Sequence, residues 1–237
     1  MYKRQAWDRV KLQLIIAVIQ QKKLILIDAF NKQSKAFKIG LTKLVQKLKN
    51  DYNLQIVLVS NAGHRLLEFV EKVVILKNGS VIQKGNIQEL ITKPLNQFVL
   101  KMISSPYLNW LEYLNYNDSW LLIDNFKIVN LKDIFDENKK VSFNIAIVPE
   151  KIVPTSITRF NHNFINKKSL FGWITRVKKL RKGDLLLDVI LDNNKIIKVI
   201  CEPWKSNRSL KTEMKFNILE GAIYLFDSKT EKLIKRW

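Results

Sequence analysis

Two short, almost wholly apolar segments, 23–28 and 55–60, constrain the fold of this chain more than any other feature. An uninterrupted apolar run of this length is typical of a strand that is buried on both faces of a sheet. Between them, 36–50 repeats apolar residues at helical spacing and carries lysines on its other side. Residues 9–20 predict a largely buried helix, and a further helix is expected at 63–70. Strands that alternate with helices indicate an α/β layer.

The rest of the chain predicts mainly strands. Asn78-Gly79 stands between two Val-rich runs, 73–76 and 80–83, and predicts a two-residue hairpin turn. After Pro94 aromatic residues become frequent, and 95–125 is expected to be helix and connector. Short strand-like runs separated by turn residues then predict a small β-barrel or sandwich. These runs are 126–131, 141–148, 170–177, 184–191, 195–201 and 214–226, with turns expected at 136–138, 182–184 and 192–194.

Composition limits the classes of function. The 237 residues include one cysteine, Cys201, which excludes an intrachain disulfide and a cysteine-based zinc site. Lys and Arg number 41 against 21 Asp and Glu, giving a net charge of +20, but the lysines are dispersed along the chain. Dispersed charge favours a solvated surface over a nucleic-acid site, which would cluster its cations on one face. With no apolar run near the ~20 residues that cross a bilayer, we expect a cytosolic or peripherally attached protein.

Four pieces stand in a characteristic order. One apolar run ends in Asp28, the next ends in Ser60-Asn61, Glu71-Lys72 precedes the hairpin, and Gly-Asn-Ile-Gln-Glu-Leu follows at 85–90. This order resembles the C-terminal half of an ABC-transporter ATPase domain over residues 4–92. In that family the first strand ends in Asp-Glu, which holds magnesium and the attacking water. The second strand ends in Ser-His-Asp, whose histidine senses the γ-phosphate.

The carboxyl-terminal part of the chain extends the resemblance. Residues 147–152, Ile-Val-Pro-Glu-Lys-Ile, resemble the segment that opens the OB-like regulatory barrel, or TOBE domain, of sugar- and polyamine-importer ATPases. Residues 171–177 and 223–227 are similar to later strands of that barrel. The resemblance implies a partial ABC-ATPase-like α/β domain followed by an OB-like β-barrel. The expected domains are 1–105, a helical and aromatic connector at 106–125, and 126–237.

The resemblance implies a vestigial nucleotide site whose chemistry is largely missing. Ala29 stands where the family has the glutamate that polarises water, and alanine has no proton acceptor. Asn61 stands at the place of the histidine and can hydrogen-bond but carries no proton. Asp28 is the candidate magnesium ligand, or else a strand-end residue that caps the next turn, and the lack of a phosphate loop favours the second reading. The candidate nucleotide-binding residues are Asp28, Ala29, Ser60, Asn61, Gln5 and Asp8, of which Gln5 and Asp8 fall in the Gln-Ala-Trp-Asp stretch that replaces the family's Ser-Gly-Gly-Gln.

No Gly-x-x-x-x-Gly-Lys-Ser/Thr occurs in the sequence, so no recognisable loop cradles phosphates. The resemblance implies ATP and magnesium as cofactors, yet hydrolysis by this chain alone is expected to be absent. The expected function is that of an importer ATP-binding-subunit homologue, dimeric or hetero-oligomeric. Its expected partners are transmembrane permease subunits or a complete ATPase subunit, at the inner face of the cell membrane. A non-catalytic scaffold protein is the alternative, and nucleic-acid binding through the basic barrel is a weaker one.

Overall fold

The computed structural model shows a mixed α/β chain with more strands than helices. It divides into two compact units, Met1–Val73 and Val74–Trp237, which are described separately. The expected helix at 63–70 lies almost wholly outside the described residues, as do the expected turn at 136–138 and Ala29. The structure describes residues 2–28, 35–61, 70–104, 106–115, 120–123, 126–131, 141–155, 163–165, 169–180, 183–203 and 213–237.

The described residues of the first unit form two helices and two parallel strands: α1 (Tyr2–Ile19), β1 (Leu24–Ile27), α2 (Lys35–Tyr52) and β2 (Gln55–Leu58). The strands pair in one sheet, in the register Leu24↔Gln55 to Ile27↔Leu58. Gln21 and Asn53 have φ of 54° and 50°, and this left-handed conformation turns the chain out of each helix. The two strands and α2 confirm the prediction. The expected start of the first helix at residue 9 is wrong, because α1 already begins at Tyr2.

The sheet of the first unit is buried on one face. Its alternate side chains Ile25, Ile27, Ile56 and Leu58 pack against a cluster of buried residues supplied mainly by the two helices. The side chains between them are exposed. The prediction of strands buried on both faces is therefore wrong among the described residues, because both helices contribute to the same cluster. The buried members of that cluster are Leu14, Phe37, Leu41, Val45, Leu48 and Leu54.

A hairpin and two short helices follow: β3 (Lys72–Lys77), β4 (Ser80–Asn86), α3 (Ile87–Thr92) and α4 (Gln97–Ile103). The division between the two units falls inside β3. Asn78 and Gly79 have φ of 51° and 77°, as a type I′ turn requires, so the predicted hairpin is confirmed.

The remaining strands form two antiparallel sheets and a separate hairpin. The five-stranded sheet has the order β12-β11-β10-β13-β9, the four-stranded sheet has the order β15-β14-β8-β5, and β6 pairs with β7. A short 3-10 turn, Pro149–Lys151, separates β8 from β9. The strands are β5 (Asn109–Asn115), β6 (Trp120–Ile123), β7 (Phe126–Asn130), β8 (Val141–Ile147), β9 (Ile152–Pro154), β10 (Leu170–Lys179), β11 (Leu185–Ile190), β12 (Ile196–Cys201), β13 (Glu213–Ile218), β14 (Ile223–Asp227) and β15 (Leu233–Arg236).

The two large sheets share one core. Buried side chains of β8 and β14 pack in the same cluster as those of β10 to β13. Asn109 on β5 joins the outer strands of the two sheets, since its amide donates to the carbonyl of Lys198 on β12 at 2.9 Å and accepts from the Lys198 N–H at 2.7 Å. This cross-link makes the body nearly closed and barrel-like.

Two details differ from the sequence expectations. Residues 109–115, expected as connector, form β5 and pair along their whole length with β8. The run 214–226, expected as one strand, is divided into β13 and β14 by a turn at Gly221, whose φ is 76°. The chain divides into its two compact units at residue 73, and the domain boundary that the sequence placed between 100 and 125 stays a prediction. Which family domain each stretch represents stays a prediction.

Candidate functional site

Asp28 and Ser60 lie at the same edge of the small parallel sheet. The backbone N–H of Val59 donates to the Ile27 carbonyl at 2.9 Å, which extends the pairing one residue beyond the strands. Asp28 and Asn61 are exposed and Ser60 is half-buried. In parallel sheets, ligands bind in the crevice outside the carboxyl ends of the strands. The expectation that both strands belong to one sheet is confirmed, and the nucleotide-binding roles of these residues stay predictions.

Gln5 and Asp8 lie within α1, which runs from Tyr2 to Ile19. Asp8 is exposed on this helix. A stretch that approaches a phosphate with free backbone N–H groups needs to stand just before a helix or in its first turn. At residue 8 the backbone is already in the helix interior. Any contact between nucleotide and Asp8 would therefore come from its side chain, and the predicted role of these two residues stays a prediction.

The described residues do not make up a complete magnesium–nucleotide site. Magnesium in such sites takes one or two carboxylates together with phosphate oxygens, and Asp28 fits as one carboxylate. Among the described residues, however, no group of three or more His, Cys, Asp or Glu side chains could hold a metal ion. The sequence contains seven glycines and none of them stands in a phosphate-loop pattern. Asp28 is therefore one candidate metal ligand in a sequence that has no phosphate-loop pattern, and its role as a ligand stays a prediction.

The stretch 85–90 has a structural explanation. A Cβ at Gly85 would lie 2.6 Å from Glu89 Oε2 and 2.9 Å from Leu90 Cδ1, so a larger residue would require these two side chains of α3 to shift. The Asn86 side chain caps α3 by accepting from the Glu89 N–H at 2.8 Å. Leu90 is buried. These residues start a helix, and none of these contacts involves ligand chemistry.

A cationic pair at the turn between β13 and β14 was missed by sequence reasoning. Arg236 donates from Nε and Nη2 to the Gly221 carbonyl, at 3.1 and 2.9 Å, while its guanidinium lies over the Tyr224 ring. Lys151 Nζ donates to the Glu220 carbonyl at 2.7 Å. Burial, and then the charge of Arg236, lower the pKa of Lys151. Lys151 and Arg236, which are 85 positions apart, thus both bind backbone carbonyls of the turn between β13 and β14.

Tyr224 connects α3 to the barrel. Its hydroxyl donates to the Ile91 carbonyl at 2.8 Å, and burial raises the pKa of the Tyr224 hydroxyl. The neighbouring bond from Gln97 N–H to the Glu231 carbonyl, at 3.0 Å, attaches α4 as well. The two short helices after the hairpin are therefore part of the same packed body as the sheets. No sequence signal marked these contacts, because they join residues more than 130 positions apart.

Cys201 is suited to packing rather than to nucleophilic chemistry. Its side chain is buried in the barrel core, and burial, with a further effect of Asp184, raises the pKa of the thiol to about 12. The thiol is therefore protonated at neutral pH, and a protonated thiol is a poor nucleophile.

Comparison with known proteins gives these features a context. No protein-family model matches the chain. It is 22% identical to a Mycoplasma genitalium protein named as an ABC transporter ATP-binding protein, over 75% of this chain and 33% of the relative. It is 24% identical to the spermidine/putrescine import ATP-binding protein of Mycoplasma mycoides subsp. mycoides, over 68% and 45%. The trehalose/maltose import ATP-binding protein of Thermococcus litoralis is 21% identical, over 54% and 35%.

Its homologues are ATP-binding subunits of ABC transporters. The chain spans between 33% and 45% of the length of these curated relatives. In the described part of the chain, no helix is both long enough and apolar enough to cross a membrane.

Proposed function

We propose that this chain is part of the ATP-binding component of an ABC importer of the sugar or polyamine type, and that it does not hydrolyse ATP by itself. One observation carries the proposal: Asp28 and Ser60 follow adjacent parallel strands at one sheet edge. A hairpin and a barrel-like double sheet come after that edge in the chain. Homology to importer ATP-binding proteins gives this arrangement its functional meaning.

The missing groups support a non-hydrolysing role. Phosphoryl transfer depends on positioning and on electrostatic stabilisation of the transferred group. At the strand ends this sequence offers Ala29 and Asn61, neither of which accepts a proton from water as a carboxylate or an imidazole does. The phosphates of a bound nucleotide would need a cradle from elsewhere. The chain would then act as a pseudo-ATPase that contributes through binding to its partners rather than through catalysis.

The proposed partners are transmembrane permease subunits or a complete ATPase subunit, in a dimer or hetero-oligomer. The proposed location is the cytoplasmic face of the cell membrane, where a net charge of +20 suits the anionic lipid surface. The names of the relatives in Mycoplasma mycoides and Thermococcus litoralis speak of import of spermidine, putrescine, trehalose and maltose. A substrate of either class is part of the proposal.

The deciding experiment compares the chain with its Asp28→Asn variant in ATP and magnesium. Because Asp28 is exposed, we expect the exchange of its carboxylate for an amide of the same shape to leave the fold unchanged. We expect phosphate release by both proteins to stay at the rate of buffer alone. Turnover that is present in the chain and absent in the variant would contradict the non-hydrolysing role. Co-purification with permease subunits tests the transport role, and its failure would favour the scaffold alternative.

A scaffold function has one observation in its favour. Several large apolar side chains of the first unit are exposed, on both α1 and the small sheet. Exposed apolar surface of this kind marks a site of protein association. A scaffold in a complex without permease subunits would show the same surface, so only the identity of the co-purified proteins separates the two functions.

A further inference from the structure

The outer side of β10 begins with two aromatic residues. Leu170 and Ile174 of this strand belong to the barrel core. Because successive side chains of a strand point to opposite faces, Phe171 and Trp173 point away from that core. Trp173 is 38% exposed, and Phe171 is half-buried. Large ring surface therefore lies on the outside of the barrel-like unit.

Two cations continue the same outer row. The pairing of β10 with β11 is irregular between Ile174 and Arg176, and beyond it Val177 lies opposite the core residue Leu187. Arg176 and Lys178, on either side of Val177, therefore point outward, and both are exposed. At about 3.3 Å per residue, the row extends on the order of 16 Å beyond its second ring. We call these four residues the β10 row: Phe171, Trp173, Arg176 and Lys178.

Positive charge is concentrated around this row. Although cations are spread along the whole chain, five of the seven residues 176–182 are Lys or Arg, and none of the seven is acidic. On the neighbouring strand β13, Lys215 lies opposite Phe171, and its Nζ is 5.0 Å from the centroid of the phenylalanine ring. Lys215 is exposed as well. Ring surface and exposed cations thus occur together on one face.

Two carboxylates border the β10 row. Asp188 lies opposite Arg176, but its Oδ1 is 3.3 Å from Lys198 Nζ, which balances its charge. Glu213 lies opposite Trp173 on β13 and is exposed. A carboxylate in such a place can accept a hydrogen bond from the amino group of a nucleobase.

We propose that the β10 row, with Lys215 and Glu213 beside it, binds a single-stranded polynucleotide. A base stacks on Trp173, while Lys215 on one side and the two cations of the row on the other bind phosphates. Aromatic side chains that stack bases, next to cations that follow the phosphate backbone, are how proteins bind single strands without sequence preference. This function goes beyond the proposed role in import and does not depend on it.

Other partners fit this surface less well. A second copy of this chain would place the same cations against each other, and like charges across an interface repel. Anionic lipids would attract the cations, but their phosphates would then face the Glu213 carboxylate beside Trp173. A nucleic-acid duplex keeps its bases stacked inside, where Trp173 does not reach them. A single strand supplies phosphates, accessible base faces and amino groups together.

The test measures fluorescence anisotropy of the full chain with labelled oligouridylate and oligodeoxyuridylate of about twelve nucleotides, and with a duplex of equal length. We expect both single strands to bind more tightly than the duplex. Three cation–phosphate contacts predict an affinity that falls about 20-fold between about 0.05 and about 0.2 M NaCl. Either order of the two single strands supports the inference and shows which sugar is preferred. Equal or tighter binding of the duplex, or an affinity that does not change with salt, would contradict it.

Two matched double variants separate this surface from the dispersed charge of the chain. Arg176→Gln with Lys178→Gln removes the same charge as Lys43→Gln with Lys47→Gln, which lie on the exposed side of α2. We expect the first pair to reduce affinity for the single strands by about tenfold or more, and the second pair by less than about twofold. Equal losses would mean that any lysine-rich surface of this chain attracts the polymer, and would overturn the inference.

A second matched pair tests the stacking. Trp173→Ala should reduce affinity by about fivefold or more, whereas Tyr52→Ala, at an aromatic residue that is 57% exposed on α2, should leave it unchanged. Because all the exchanged side chains are exposed, the circular dichroism spectrum and the urea midpoint should stay those of the parent chain. Unchanged affinity in Trp173→Ala would refute the stacking role.

Photo-crosslinking locates the site in the unaltered chain. An oligonucleotide that contains 5-bromodeoxyuridine should form its light-induced adduct with the peptide that includes Trp173. Adducts that lack this peptide would contradict the inference. A third result would also overturn it: variants of the β10 row that bind the oligonucleotide normally but lose binding to vesicles of phosphatidylglycerol and phosphatidylcholine would identify a membrane-binding surface instead.

Discussion

The two units of this chain bury their apolar residues in different ways. In the barrel-like unit, β8 and β14 face β10 to β13 across one core, and side chains such as Phe216 and Ile223 are fully buried. In the described part of the first unit, a sheet of two strands is covered on one face, while Leu24 and Leu26 on the other face are exposed. The first arrangement completes its own core. The second leaves one apolar face of its sheet exposed among the described residues.

This difference separates the unit whose apolar residues stabilise the fold from the unit whose exposed apolar residues favour association with another molecule. A double sheet that shares one core gains its hydrophobic stabilisation within the chain. A parallel sheet with one exposed apolar face can gain further hydrophobic stabilisation when that face contacts another molecule. Equivalent substitutions should therefore change folding in the barrel-like unit and binding in the first unit.

The largest expected effect comes from Phe216→Ala. Phe216 is 0% exposed on β13, between Leu170 of β10 and Pro154 of β9 in the sheet register. Removing a fully buried phenylalanine ring costs about 3–5 kcal/mol, from lost transfer free energy and from the cavity that remains. The measurement is urea unfolding combined with hydrogen exchange of β10 to β14.

Leu26→Ala is the matched substitution in the first unit. The side chain is 66% exposed, so we expect the free energy of unfolding to change by no more than about 0.5 kcal/mol. A loss of 2 kcal/mol or more, on the order of a buried leucine, would show that this face is already covered in the isolated chain. That result would remove the contrast between the two units.

Local chemistry made much of this structure predictable. Asn78-Gly79 requires a tight hairpin because both residues tolerate positive φ, and the structure has φ of 51° and 77° there. The apolar runs ending at Asp28 and near Ser60 predicted two strands of one sheet, which pair in parallel. The strands and turns of the carboxyl-terminal half followed from alternation and from turn residues. Each of these signals is complete within about ten residues of sequence.

The rest depends on contacts between distant residues. Residues 109–115 are recognised as a strand only once their partner β8 is known, because the sequence Asn-Trp-Leu-Glu-Tyr-Leu-Asn does not alternate strictly between apolar and polar residues. The exposed face of β1 and β2 is apolar, like that of a buried strand. An apolar sequence alone does not show which face of a strand packs against other parts of the same chain. The candidate site was predictable as a sheet edge at Asp28 and Ser60. The start of α1 at Tyr2 was not, because 2–8 contains no capping signal that separates it from the helix.

A smaller effect is expected where one side chain closes the barrel-like body. Asn109 pairs with both backbone groups of Lys198, at 2.9 and 2.7 Å. Asn109→Ala leaves those groups without these partners, at a cost of about 1–3 kcal/mol. Faster hydrogen exchange of the Lys198 amide should accompany the loss.

The matched control is Asn193→Ala. Its side chain also accepts from a backbone N–H, that of Lys195 at 3.0 Å, but it lies in an exposed turn where water replaces the bond. We expect a change of about 0.5 kcal/mol or less. Equal losses for the two variants would mean that Asn109 does not join the two sheets.

The smallest expected effects compare one carboxylate from each unit. Lys49, by its hydrogen bond and its charge, lowers the pKa of Glu71 in the first unit, whereas hydrogen bonds from Thr230 lower the pKa of Asp227 in the turn after β14. Thr230 donates to Asp227 Oδ1 from its N–H at 2.6 Å and from its hydroxyl at 2.8 Å. Both folded pKa values lie below the unfolded ones, so each contact stabilises the fold above the ordinary carboxyl pKa and is lost as pH falls through the folded value.

Salt should separate the two carboxylates. An exposed ion pair between flexible side chains is screened, whereas hydrogen bonds within a tight turn are held by the backbone. In NMR titrations at about 0.05 M and about 0.5 M NaCl, where the screening length falls from roughly 14 to roughly 4 Å, the pKa of Glu71 should rise toward its ordinary value. The pKa of Asp227 should stay low in both, and Thr230→Val should raise it. If salt instead moved the two pKa values equally, both pKa shifts would come from charge alone. The hydrogen bonds in the turn after β14 would then not distinguish the barrel-like unit from the first unit.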